Sequence, residues 1–272
     1  MSAAAESADG PPAAWQPLTF GGVAAFSGAR LGRLLAVELV AAMMLALSVV
    51  WILHRAYCPV ILRAIQGMPE TARVANGTLQ GVPDTLIAES KFLAIAATPQ
   101  PGRDIGQDAD LQIQLRQKDV CAGSIFWPDW GLEYSYGPGT AFNLARSNLE
   151  PGWSAWQPVL LIGTGAAVVL VLVVFWAVLA AIYMAPAKFV AWFADRYLPW
   201  RGAWRLASAA SLPGTLVVMG AVILYGWSVI DLVGLSFFGA VHVLIGWIYL
   251  VGASCKVTRI FPADSNRNPF TA

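Results

Sequence analysis

Charge is scarce in this chain. Asp, Glu, Lys and Arg together make up 12% of its 272 residues, about half the share usual in soluble domains. Much of the chain therefore needs no water-facing surface, and the mean hydropathy of +0.61 agrees. The net charge is +1, so no global field draws the chain to nucleic acid, and no nucleic-acid partner is expected. Three cysteines without a Cys-x-x-Cys pair give no redox or zinc framework. Two histidines, His54 and His242, exclude a multi-haem or multi-histidine metal centre on count alone. His54 and Cys58 stand four residues apart, but two ligands do not make a zinc site. No Gly-x-Ser-x-Gly, His-Glu-x-x-His, Walker or Gly-x-Gly-x-x-Gly pattern occurs in a usable context. No catalytic residue, metal or cofactor is expected, and the chain reads as a non-enzyme.

What is present is apolar length. Roughly 20 helical residues cross the hydrocarbon core of a bilayer, and four stretches qualify as transmembrane helices: 34–57, 158–184, 206–227 and 235–252. The second, with its run VVLVLVVFWAVLAAIY, is the plainest. Residues 1–17, rich in Ala, Gly, Pro and Ser, read as a disordered tail. Residues 18–33 read as a short apolar segment on the membrane surface and not as a secretory signal. The 185–205 connection carries Phe189, Val190, Phe193 and Tyr197 at helical spacing beside Lys188 and Arg196, which predicts an interfacial helix ended by Pro199. Residues 253–272 form a tail.

Lys and Arg crowd one side of this plan, at Arg30, Arg33, Lys188, Arg196, Arg201, Arg205, Lys256, Arg259 and Arg267. The positive-inside rule then places both termini and the 185–205 loop in the cytoplasm, with residues 58–157 outside. That external stretch predicts a β-rich domain. Asn76-Gly77 is a hairpin signal, since both turn positions want positive φ. It also opens an Asn-Gly-Thr glycosylation acceptor, which the turn explains without glycan. Residues 92–97, 110–116, 120–127 and 132–136 read as strands, and Leu111, Ile113 and Leu115 alternate with Gln112, Gln114 and Arg116 as in a half-buried strand. Proline and glycine between these runs argue against helices here. The expected fold class is thus an α-helical membrane protein of four transmembrane helices with an inserted extracytoplasmic β-rich domain.

Few residues could carry chemistry. Glu38 lies about one turn inside the first span, where a carboxylate must face protein or water. It reads either as a proton- or ion-pathway residue or as a structural hydrogen bond to Arg205 or a serine of the third span. His242, near the middle of the fourth span, reads as a donor to a neighbouring carbonyl before it reads as a ligand or base. Depth separates the two by roughly 9 Å, so they are not a direct pair. Asp231, before the fourth span, is the type of residue that caps free helix N–H groups. Ser208, Ser211, Pro213 and Gly214 in the third span belong to a small-residue stripe that lets helices approach closely, with Pro213 marking a kink. Cys58 and Cys121 fall in the same external stretch and could pair in an oxidising compartment, while Cys255 falls on the other side.

The stretch Met68-Pro-Glu…Val74-Ala-Asn-Gly-Thr-Leu79 resembles a strand-turn of a bacterial membrane-protein family grouped with the Yip (Ypt-interacting protein) superfamily. The segment Gly202-Ala-Trp-Arg-Leu-Ala…Leu212-Pro213 looks like the membrane core of that group, where an aromatic-rich loop leads into a proline-bearing span. The resemblance covers about residues 18–253 and implies no catalytic residues. Eukaryotic Yip proteins usually have five spans, against four here. The expectation is a multi-pass protein of the bacterial inner membrane. It would be a scaffold, assembly or sensory partner acting through the external domain, its partners being the lipid bilayer and another membrane protein or a second copy. The rival expectation is a component of a transporter or channel using the intramembrane polar residues.

Overall fold

The computed structural model describes residues 16–98 and 109–259. Most of the N-terminal tail, the end of the C-terminal tail and Arg267 lie outside the described residues. Among the described residues, four helices are long and apolar enough to cross a membrane: Leu31–Gln66, Arg146–Phe193, Trp200–Gly226 and Leu232–Ser254. The chain is a multi-pass helical protein with two β-sheets. It divides into two compact units, one of Met1–Ala46, Ala167–Ala221 and Leu235–Ala272, the other of Leu47–Ala166 and Val222–Gly234.

The helices overrun the lengths that hydropathy alone suggests. Helix α2 (Leu31–Ile52) does not end near Tyr57 but passes through a π-helical turn, Leu53–Tyr57, into α3 (Cys58–Gln66). Pro59 stands behind this detail: it has no N–H for the Arg55 carbonyl, and its ring needs room there, which a wider turn supplies. Residues 58–66, placed in the β-rich stretch by the sequence, are therefore helical. Helix α4 (Arg146–Phe193) runs unbroken for 48 residues, about 72 Å at the usual rise. The interfacial helix expected within 185–205 is the last part of α4, because the apolar spacing at Phe189, Val190 and Phe193 continues in phase and Pro186 costs the helix a single bond. Helix α5 (Trp200–Gly226) carries Pro213 inside it, and α6 (Leu232–Ser254) follows.

In the first unit, α5 forms the centre. Leu206, Ala207, Ala209, Ala210 and Leu212 are all buried, and small side chains dominate its contacts with α4 and α6. The segment expected to lie on the membrane surface packs Val23, Ala24, Phe26 and Ala29 into this core. A short helix, α1 (Phe20–Ala25), is started by Thr19, whose Oγ1 accepts the Gly22 N–H at 3.0 Å. Val23 and Phe26 are both 0% exposed. The α1 segment is tied to α6 by the Tyr249 hydroxyl, which donates to the Leu18 carbonyl at 2.8 Å, and by the Phe20 and Tyr249 rings at 5.0 Å. A Cβ at Gly252 would meet the Phe20 ring at 2.8 Å, so only glycine admits this packing.

The second unit holds both sheets. Strands β1 (Arg73–Ala75) and β2 (Thr78–Gln80) form the hairpin expected from Asn76-Gly77, with φ of 53° and 72° at the two turn residues. A two-residue strand, β8 (Phe142–Asn143), joins the other edge of β1. The second sheet has the order β3 (Thr85–Glu89), β4 (Leu93–Thr98), β5 (Leu111–Arg116), β6 (Asp119–Ser124), β7 (Trp127–Ser135). The β4–β5 pair is parallel and every other pair antiparallel. Val60 and Ala64 of α3 cover Leu93 and Ile95 on one face, while Val74 and Leu79 of the hairpin join Leu115, Val120 and Tyr136 in a second small core. The alternation in β5 is real but its faces are not divided as expected. Gln114 is buried and Leu111 is exposed, because this sheet has cover on both faces in places and lacks it at one end.

Candidate functional site

Polar side chains are concentrated in two places, one in each unit. In the unit that holds the sheets, Asp110 precedes β5 and is only 5% exposed. Its backbone is fixed first: the N–H donates to the Lys91 carbonyl at 2.9 Å, and its own carbonyl accepts from the Ile125 N–H at 3.1 Å. The carboxylate then accepts from the Tyr225 hydroxyl at 2.7 Å, and the Tyr57 hydroxyl lies 3.3 Å from that of Tyr225. Phe92 sits edge-on to Tyr225 with centroids 5.0 Å apart. One residue earlier, the Lys91 ammonium donates to the Ser228 and Ile230 carbonyls at 3.4 and 3.1 Å. Charge-assisted bonds of this kind are stronger than neutral ones. The acid, two phenols and the ammonium therefore clamp the start of β5 to the helix ends bearing Tyr57 and Tyr225. Trp51 and Trp227 meet edge to face at 6.3 Å, with the Arg55 guanidinium 5.7 Å from the Trp51 ring.

In the other unit, Glu38 of α2 is 2% exposed and its carboxylate accepts a hydrogen bond from the Ser208 hydroxyl of α5. Of the two partners expected for Glu38, it is the serine that meets it. Arg205 instead donates to the Ala29 carbonyl at 2.7 Å. Ser208 belongs to a buried polar row on one face of α5. The Ser211 hydroxyl donates to the Ser208 carbonyl at 2.7 Å and the Thr215 hydroxyl to the Ser211 carbonyl at 3.3 Å. These back-bonds supply local donors beside Pro213, whose missing N–H leaves the Ala209 carbonyl without its helical partner. His242 of α6 is buried against Gly214, where a Cβ would run into the imidazole and come within 2.7 Å of the His242 carbonyl. Ser208 and Gly214 are six residues apart on α5, roughly 9 Å of rise, so Glu38 and His242 occupy different levels.

The remaining candidates stand singly. Asp231 caps α6 by accepting the Gly234 N–H at 2.7 Å through Oδ1. Cys58 and Cys121 are both buried free thiols, so the disulfide they could form is not made. Cys58 starts α3, whereas Cys121 lies mid-strand in β6 against Gly131, whose position a Cβ would deny to the Cys121 sulfur. An open groove of about 830 Å³ runs along the small sheet, lined by Glu70, Arg73, Gln80 and Asn143. Among the described residues no three His, Cys, Asp or Glu side chains are placed to share a metal ion.

Sequence reasoning passed over Asp110. It stood as the first residue of an alternating strand, and Tyr225 fell near the end of the 206–227 span. The available signal was an acidic residue adjoining an apolar strand, with tyrosines ending two spans, and it becomes a cluster only through the fold. No family model, no curated protein and no solved structure matches the chain.

Proposed function

We propose that this chain is a non-enzymatic membrane protein that recognises another protein through its β-rich unit, the helices serving as its anchor. The observation that carries this reading is the outer edge of the five-stranded sheet. Among the described residues strand β7 pairs only with β6, and its alternate residues Leu132 and Tyr134 are 82% and 78% exposed. They project from one face, with Ile125 and Phe126 exposed at the adjoining turn. Soluble sheets protect such edges with charge, proline or cover. Strand β7 carries Pro128 and Asp129 in its first half, which leaves Gly131 to Ser135, with Leu132 and Tyr134 exposed and Glu133 engaged by Arg116, as the part open to strand addition. An extended segment of a partner pairing along β7 would satisfy its backbone and seat side chains beside Leu132 and Tyr134. In this reading the β-rich unit is extracytoplasmic, as the distribution of Lys and Arg suggests. The resemblance to the Yip superfamily enters only as an expected lineage and assigns no residue.

A photo-crosslinking amino acid at Leu132 in native membranes tests it. One discrete product is expected, absent when the same group stands at exposed Glu89 and lost on Tyr134→Lys. Equal, diffuse labelling from both positions would sink the reading.

A transport role is the second reading, and Glu38 is what favours it: an acid buried among helices and bonded to a single serine. If the chain conducts protons, liposomes bearing it will dissipate a pH gradient, and Glu38→Gln will stop the leak.

A further inference from the structure

The turn between α4 and α5 carries more positive charge and more exposed aromatic surface than its packing uses. Arg196 forms an isolated antiparallel bridge with Arg259, and the next pair is joined by the Tyr197 N–H donating to the Thr258 carbonyl at 3.0 Å. Residues directly opposite in such a bridge project to the same face, and like charges so placed repel. Neither arginine is ion-paired among the described residues. The Arg196 Nη1 donates to the Val257 carbonyl at 2.9 Å, which fixes the guanidinium, yet its buried Nε–H has no partner among the described residues. Lys256 is exposed in the same short segment as Arg259. Two arginines directly opposite in one bridge, one of them with its guanidinium held in place, suit an oxyanion that accepts from both.

The surroundings specify where that oxyanion comes from. Phe189, Trp192 and Phe193 are exposed and stacked on one another, with centroids 4.6 to 6.4 Å apart. Tyr197 and Trp200 are exposed beside them, and the Lys188 ammonium lies 4.7 Å from the Trp200 ring while donating to the Leu198 carbonyl. Exposed aromatic rings at the end of a transmembrane helix sit at the level of lipid headgroups. That is where phosphate is abundant. We propose that Arg196 and Arg259 form a binding site for the phosphate of an anionic phospholipid, with the aromatic cluster holding the lipid's glycerol and upper acyl region. Inorganic phosphate shares the headgroup chemistry but makes no use of the aromatic surface.

Native mass spectrometry of the full chain in detergent, given equal parts phosphatidylglycerol and phosphatidylcholine, distinguishes these cases. The wild type should retain phosphatidylglycerol preferentially. Arg259→Gln, whose side chain makes no bond among the described residues and so leaves the fold intact, should lose about fivefold of that retention, and Arg259→Lys should recover part of it. Arg196→Gln together with Arg259→Gln should abolish the preference. Equal retention of the two lipids, or retention unchanged in Arg259→Gln, overturns the site. Full displacement by inorganic phosphate at concentrations matching the lipid overturns the lipid as its source.

Discussion

At the scale of single residues, stability rests on a few buried polar atoms whose partners come from distant parts of the sequence. Tyr225 is the donor to Asp110. Removing its hydroxyl leaves a buried carboxylate short of a bond, so Tyr225→Phe should cost about 1–3 kcal/mol in denaturation of the detergent-solubilised protein. Gly214 poses the opposite problem, because there is no space for added atoms against His242. Gly214→Ala should lower stability by about 1–3 kcal/mol, as overpacking does. Tyr136 supplies a pH dependence. Burial, and then the negative charge of Asp119, pushes its phenol up to about 12, from about 10 in an unfolded chain. The folded protein thus keeps a proton that the unfolded chain gives up. Its contribution is whole below pH 10 and is lost as pH rises toward 12. Denaturation at pH 9, 10 and 11 should show the wild type losing stability relative to Tyr136→Phe across the upper part of that range.

At the scale of elements, the hairpin shows how tightly a turn can be specified. Gly77 has φ of 72°, and a Cβ there would lie 2.9 Å from the Gly137 carbonyl. Gly77→Val should unfold the small sheet first, seen as faster hydrogen exchange at residues 73–80 than at 111–124. This hairpin was legible in the sequence because its cause is local: two residues that tolerate positive φ. Strand β5 was legible because alternation is local too, whereas the stretches read as 120–127 and 132–136 divide differently, into β6 at Asp119–Ser124 and β7 at Trp127–Ser135. The helix limits were not legible. The π turn at 53–57 and the merging of the 185–193 segment into α4 depend on how a chain accommodates one missing hydrogen bond at Pro59 or Pro186, and hydropathy does not record that. Nor does composition reveal that Val23 and Phe26 are core residues, since an amphipathic segment on a membrane and a buried one have the same pattern. Among site residues, Asp231 could be read from its place before a helix, because capping is local. Asp110 could not, because its partner lies 115 residues away.

At the scale of the whole molecule, four helices long and apolar enough to cross a membrane predict an alternation of sides. Only α4 separates residue 132 from residue 201, so the two should face opposite compartments. With the native cysteines replaced by serine, Leu132→Cys and Arg201→Cys should each react with an impermeant maleimide from one side only, and not the same side. Helix α4 has a further consequence. An unbroken helix is stiff, and this one is about 72 Å long, more than twice the ~30 Å hydrocarbon thickness. Treated as a lever, it moves its far end by roughly 1.3 Å for each degree of tilt about the other. Pro151, Pro158 and Pro186 lie within that length, each lacking one bond of the ladder. A tilt of a few degrees at one end of α4 would therefore carry the opposite end through roughly as many ångströms.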